Sequence, residues 1–402
     1  MNMKKLLPFL VPAVFWTLVL SGCGNNSTGS IDREELFSLV IGPMEDQIAL
    51  YNLQGGRGIR KTGFTMRDGL FYIADGNGGK IVRYNSYGNL LFMIYNEETN
   101  PQPFSLKTNV TEDEQAIRWA YSYPLEEPGW IAVDSRKHIF VEDRLPVQSH
   151  RSDPETKALL DGVILHFDQD GRFINYLGRE GIGGSPFPRI IGLSSSERDE
   201  LAVICRIPGG WNIYWYNSSL MLLFLVKISS SDIPSLADWP EALSFVDQIS
   251  ASCDSRKLLI KVDYSLDTFD QSTNIRTGSE PLSSVLWTLN VEDGLYSDSV
   301  EIPLYEIVEN RGENIKAFYS LLGVMRGGKA LLYFPVDTGY SLLFVDTLTR
   351  EQRRGYIQFA NDELRYNDFY MSPEGILTAM LADNFNVKMV WWRTDRFMGE
   401  AP

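Results

Sequence analysis

Short runs of apolar residues, most of them six or seven long and closed by turn-forming Gly, Asn, Asp or Ser, recur along the whole 402-residue chain. Their alternation is of period two, the periodicity of β-strands rather than helices. The first unit reads Leu70–Asp75, Lys80–Asn85 and Leu90–Tyr95, with Ser86–Asn89 as its last turn. The second reads Gly129–Ser135 and His138–Asp143, then, beyond a long loop, Val163–Asp168 and Phe173–Leu177. That last pair turns about Gln169-Asp170-Gly171, where Asp-Gly supplies the positive φ angles of a tight hairpin. Four further units centre on Leu201–Arg206 with Trp211–Tyr216 and Leu220–Lys227; on Lys257–Asp263 with Val285–Val291; on Ala330–Asp337 with Ser341–Asp346; and on Ile376–Asp383 with Val387–Arg393.

Units of four strands, repeating every 40–50 residues or somewhat more where loops are inserted, predict an all-β propeller of six blades. A propeller ring must be closed. Phe37–Ile41 or Ile48–Leu53, strand-like and placed ahead of the first unit, are expected to complete the last blade at 365–396. Helical insertions between blades are expected over Ser231–Ile249, where Leu236, Trp239, Leu243 and Val246 fall at three- and four-residue spacing, and over Glu112–Ala120.

Two units carry a closer pattern. Ile131-Ala132-Val133-Asp134-Ser135 with His138-Ile139-Phe140-Val141-Glu142-Asp143, and Leu70-Phe71-Tyr72-Ile73-Ala74-Asp75, resemble NHL repeats and similar six-bladed propellers. The resemblance implies the fold; activity belongs to sites grafted on it.

Five of the six second strands end in aspartate: Asp75, Asp143, Asp263, Asp337 and Asp383, with Arg206 in the remaining place. In a propeller these ends share one face, around the mouth of the channel. Two readings follow: loop caps, each carboxylate accepting backbone N–H groups, or a ligand site in which clustered carboxylates and Arg206, with the adjacent Arg144, hold a cation or a basic group. The longest loops expected on that face are Arg144–Gly162 and Tyr264–Ser284, joined by the shorter Pro335–Tyr340 and Asp383–Asn386.

Composition narrows the partners. The chain carries a formal charge of −15 and no basic cluster, which excludes nucleic acid and non-specific attraction to anionic lipid. Only Cys23, Cys205 and Cys253 are present, too few for a disulfide framework or a zinc site; Cys205 and Cys253 are read as buried thiols, with a bridge as the alternative. Of three histidines, His138, His150 and His166, two lie in blade strands, so imidazole-based metal catalysis is not expected. No Gly-x-Ser-x-Gly elbow, P-loop or dinucleotide fingerprint occurs in a strand-turn-helix context, and Gly181-Ile182-Gly183-Gly184 reads as a turn.

The amino terminus supplies the remaining signal. Lys4 and Lys5 precede an apolar stretch, Leu6–Leu20, too short and too broken by Pro8 and Pro12 for a lasting transmembrane helix. Leu20-Ser21-Gly22-Cys23 then resembles the lipobox of bacterial lipoproteins. The resemblance implies lipidation of Cys23, cleavage before it, and a durable acyl anchor in the cell envelope. The expected organisation is a signal peptide over 1–22, a lipidated tether over 23–35 and a single, monomeric propeller domain over 36–397. The expected function is a non-catalytic, membrane-anchored module that binds an envelope protein, peptide or glycan and needs no cofactor. The alternative is a calcium-dependent hydrolase resembling propeller lactonases, with calcium held by the acidic strand ends.

Overall fold

The computed structural model describes residues 29–51, 60–108, 118–308, 314–359 and 365–397. Six antiparallel sheets are built in chain order. Blade 1 contains Thr62–Arg67, Leu70–Asp75, Lys80–Asn85 and Leu90–Tyr95; blade 2 contains Ile131–Val133, Ile139–Arg144, Gly162–Phe167 and Phe173–Gly178. Blade 3 runs Ile190–Ser195, Leu201–Ile207, Gly210–Tyr216 and Leu222–Ser229, and blade 4 Leu243–Ala251, Lys257–Phe269, Arg276–Asn290 and Tyr296–Ile302. Blade 5 is Ser320–Met325, Lys329–Val336, Gly339–Asp346 and Gln352–Gln358. Blade 6 takes Tyr366–Met371, Leu377–Ala382 and Asn386–Trp392 from the end of the chain and its outermost strand, Arg33–Val40, from the beginning. The chain folds as a six-bladed β-propeller, its ring closed by the amino-terminal strand, paired antiparallel from Arg33 opposite Trp392 to Val40 opposite Asn386 with a shift of one residue between Glu35 and Phe37.

Each blade's first strand lies innermost, and these six strands neighbour one another around a central channel. Both faces of a blade are covered by its neighbours. The second strands therefore read as continuous apolar runs, and Leu377–Ala382 is buried at every position. Six apolar clusters fill the six seams between blades. At the closure seam Phe37 of the amino-terminal strand packs edge-on against Phe71 of blade 1, with ring centroids 5.4 Å apart, and beside Tyr84.

The helical expectation over Ser231–Ile249 fails. Leu243–Ala251 is the innermost strand of blade 4, and before it stand a 3₁₀ turn at Ser230–Asp232, capped by Ser229, and a tight turn in which Leu236 bridges Trp239. The apparent helical stripe is divided: Leu236 and Val246 pack into the seam between blades 3 and 4, whereas Trp239 and Leu243 face solvent. Pro234 and Pro240 also break the segment. Of Glu112–Ala120, residues 112–117 lie outside the described residues; Trp119 and Ala120 belong to a strand, Trp119–Ser122, added in parallel to the edge of blade 1.

Tyr264–Ser284 is not a loop. The middle strands of blade 4 continue through it as a projecting hairpin whose turn is held by Asp270, paired from Tyr264 opposite Ser283 to Phe269 opposite Arg276. Arg144–Gly162 likewise contains a small hairpin, Arg151–Ser152 against Leu159–Leu160. Part of the stretch read as tether is built into the ring: Gly29–Ser30 adds in parallel to blade 5, and Arg33–Glu35 open the closing strand. Cys23 and the lipobox lie outside the described residues. Cys205 and Cys253 are buried free thiols.

Candidate binding site at the channel mouth

The channel is a cavity of about 190 Å³ to which every innermost strand contributes, among them Thr65, Ala132, Leu193, Ser250, Gly323 and Tyr370. Its mouth lies where these strands begin. There a second cavity, about 420 Å³, opens across the starts of blades 1, 2 and 3, and the two share Trp130 and Ile191. Near the axis the blades crowd one another, and glycine makes the approach possible: a Cβ on Gly63 would stand 2.4 Å from the Gly129 carbonyl oxygen.

Arg60 and Lys61 come from the start of blade 1, Glu127, Gly129 and Trp130 from the start of blade 2, Glu142 and Arg144 from the end of its second strand, and Arg189 from the start of blade 3. Lys61 Nζ sits 3.6 Å from the centre of the Trp130 ring, a cation–π contact. Glu127 lies between two guanidinium groups, 3.5 Å from Arg60 Nε and 3.4 Å from Arg144 Nε; Arg144 also pairs with Asp161 at 3.1 Å. Arg60 donates to the Glu126 carbonyl at 2.6 Å.

Glu142 is buried, and its Oε2 accepts the Trp130 N–H at 3.1 Å. A Cβ on Gly129 would come within 2.6 Å of that oxygen, so the carboxylate occupies space that only glycine leaves open. Burial pushes the Glu142 carboxyl up to about 7, against the opposing pull of the Trp130 N–H and of Arg144 and Lys61. In blade 6, Asp368 is pushed up to about 6, again by burial, with Lys61 drawing it down.

The acidic strand ends are placed as follows. Asp75 is fully buried and accepts the N–H groups of Ala49 (2.7 Å) and Gly78 (2.9 Å); burial raises its pKa against the pull of Lys80. Asp143 accepts from Glu126 and Glu127, the closest bond 2.6 Å, and burial pushes it up to about 6. Asp383 accepts from Phe385 and Asn386, both at 2.7 Å. Asp263 takes both its contacts from the buried Lys261 ammonium at 2.7 Å, which also lies 3.6 Å from Asp247. Asp337 is exposed in the turn between Lys329–Val336 and Gly339–Asp346. Arg206 is exposed, its guanidinium 3.9 Å from the centre of the Trp211 ring. Of the residues named from the sequence, only Arg144 lines the mouth cavity.

Asp383 thus caps its own turn, Asp75 caps its own turn and Ala49 of the amino-terminal segment, Asp143 caps the loop that leads into blade 2, and Asp263 neutralises a buried lysine. Among the described residues no group of three or more His, Cys, Asp or Glu side chains is arranged to hold a metal ion.

Alternation explains the choice between neighbours: Asp143 turns to its loop, whereas Glu142, one residue earlier, faces the cavity. Trp130, Glu142, Lys61 and Arg189 were not legible as a set because they meet only when three blades are assembled. Two of the three histidines also meet, on the flank of blade 2: His138 Nδ1 lies 2.9 Å from His166 Nε2, and Asn175 Oδ1 is 3.3 Å from His166 Nδ1.

No protein-family model matches the sequence, and no curated protein is matched by it. Among solved structures the chain is similar to the hydrazine synthase of Kuenenia stuttgartiensis, with 12% identity over 87% of this chain and 82% of that one and a TM-score of 0.39. It is similar to the Dos1 propeller, with 11% identity, coverage of 90% and 95%, and a TM-score of 0.35. A gluconolactonase of Xanthomonas campestris gives 12% identity, coverage of 83% and 85%, and a TM-score of 0.38. At these identities and TM-scores nothing about this chain's chemistry follows from theirs.

Proposed function

We propose that this chain is a lipid-anchored binding module of the cell envelope, held to a membrane through Cys23, and that its ligand enters the cavity at the channel mouth. The observation that carries the reading is that cavity: about 420 Å³, within the size range of small-molecule sites, and lined by charged side chains and a tryptophan brought together from three blades. Rigid strands position these groups, and the acidic strand ends are used to fix the surrounding loops. Binding without chemistry is the function this arrangement supports best.

Two experiments test it. Metabolic labelling with a clickable palmitate analogue should tag the full chain and fail to tag Cys23→Ser; equal labelling would overturn the anchor. A photo-crosslinking residue at Ile191, an uncharged position of the mouth lining, should capture a saturable ligand from envelope extract, and one at Arg151, on the outer hairpin, should not. Equal capture at both positions, or none at Ile191, would overturn the binding site.

A further inference from the structure

We propose that the mouth cavity takes a small ligand bearing an oxyanion, a carboxylate or a phosphate, with Lys61 and Arg189 as the cations that hold it. The inference rests on the mouth being the binding site and adds the chemical class of what it binds.

The first argument is charge. In a chain with 52 acidic and 37 basic residues, the cavity reverses the balance, with Arg60, Lys61, Arg144 and Arg189 against Glu127 and Glu142. Its partners are unequally shared. Glu127 is spanned by Arg60 and Arg144, and Arg144 takes Asp161 as well, so these guanidinium groups are committed to the protein's own carboxylates. Lys61 and Arg189 are exposed, and among the described residues neither stands within 4 Å of a carboxylate oxygen; Lys61 lies over Trp130 and attracts Glu142 and Asp368 only at longer range. They approach the cavity from blades 1 and 3, on either side of Gly129 and Trp130 of blade 2.

The second argument is Glu142. A carboxylate buried in the wall of an anion site would repel its ligand, but burial keeps this one largely protonated below neutrality. In that state it sets no negative charge against Lys61 or Arg189. The mouth is thus a locally basic patch on a chain whose net charge is −15.

Two sources share this chemistry, a free solute and an anionic lipid headgroup, and the probes separate them. Isothermal titration of the full chain in detergent with citrate, with inorganic phosphate and with glucose as neutral control is paired with flotation on phosphatidylglycerol against phosphatidylcholine vesicles. Citrate or phosphate should bind saturably, and at least tenfold more weakly in Lys61→Gln and in Arg189→Gln, with Arg151→Gln unchanged. Both glutamine substitutions are at exposed positions, and unaltered melting temperatures will show that the fold is kept. Selective flotation on phosphatidylglycerol by Cys23→Ser, lost in the same two variants, would identify the headgroup as the source. Glucose binding as tightly as the anions, with Lys61→Gln and Arg189→Gln unaffected, would overturn the oxyanion class and keep the mouth as the binding site. No saturable binding of either anion and no selective flotation would also overturn the class, and crosslinking at Ile191 then decides separately whether the mouth binds anything.

Discussion

Glu142 Oε2 accepts the main-chain N–H of Trp130 at 3.1 Å, in a space that exists because residue 129 has no side chain. The carboxyl is thereby buried at the wall of the mouth cavity while the residue beside it, Asp143, caps the preceding loop.

That burial makes stability depend on pH. A carboxyl raised from its ordinary 4.5 to about 7 favours the folded state while protonated; this contribution is complete below about 4.5 and is lost as pH climbs through 7. Glu142→Gln, which keeps an acceptor for Trp130, should match the parent chain at pH 4 and exceed it at pH 8 by up to about 3 kcal/mol. Urea unfolding at the two pH values measures this; equal midpoint differences at both would refute it.

His166 works in the opposite sense. Burial, with His138 beside it, pushes its pKa down from 6.5 to about 4, so the folded state holds the ring neutral. Stability from this residue is complete above 6.5 and falls as pH drops toward 4, by a total on the order of 3 kcal/mol. His166→Gln should flatten the decline of the urea midpoint between pH 7 and pH 4.5. An unchanged slope would show that the His138–His166 contact is not the acid-sensitive element of blade 2.

The closing strand carries a strong anchor. Phe37 is buried against Phe71 and Tyr84, and truncating such a side chain typically costs 3–5 kcal/mol. Phe37→Ala should lower stability by about that amount and speed proteolysis in residues 33–40 before the rest of the ring is cut. Uniform cleavage with a loss below about 1 kcal/mol would mean the seam is held elsewhere.

Glycine positions discriminate crowded from open backbone. Gly63→Ala drives a Cβ to 2.4 Å from the Gly129 carbonyl and should cost about 1–3 kcal/mol, with weaker ligand binding as the start of blade 2 shifts. Gly278→Ala, in the projecting hairpin, meets nothing nearer than Thr268 Oγ1 at 3.5 Å and should change stability by less than about 0.5 kcal/mol. Thermal melts of the two variants side by side are the check.

Strands buried on both faces were plain in the sequence. Leu70–Asp75, Lys80–Asn85 and Leu90–Tyr95 stand where alternation and turns put them; Leu201–Ile207 differs from its expected limits by one residue at one end, and Leu377–Ala382 by one residue at each end. The innermost strands were harder to see. Ser320–Met325 and Tyr366–Met371 have one side on the channel, so Ser320, Asn367 and Asp368 interrupt the apolar signal. Leu243–Ala251 was lost to helical spacing that its solvent-facing Leu243 and packed Val246 meet by coincidence. The acids at strand ends were a true sequence regularity met by different roles in the fold: Asp383 closes its own turn, Asp143 caps the loop entering blade 2, and Asp263 pairs with Lys261. The mouth cavity draws on Lys61, Trp130, Glu142 and Arg189, which share no motif and no register; only the convergence of three blades relates them.

The amino-terminal segment touches two blades in succession, Gly29–Ser30 alongside Gln352–Gln358 and then Arg33–Val40 alongside Asn386–Trp392. Tension applied ahead of Gly29 would therefore be carried first by blade 5 and then by blade 6. A strand pulled along its own length loads its hydrogen bonds together instead of unzipping them singly. The segment that completes the circle is also a mechanical coupling, able to take strain at the rim and spare the mouth on the axis.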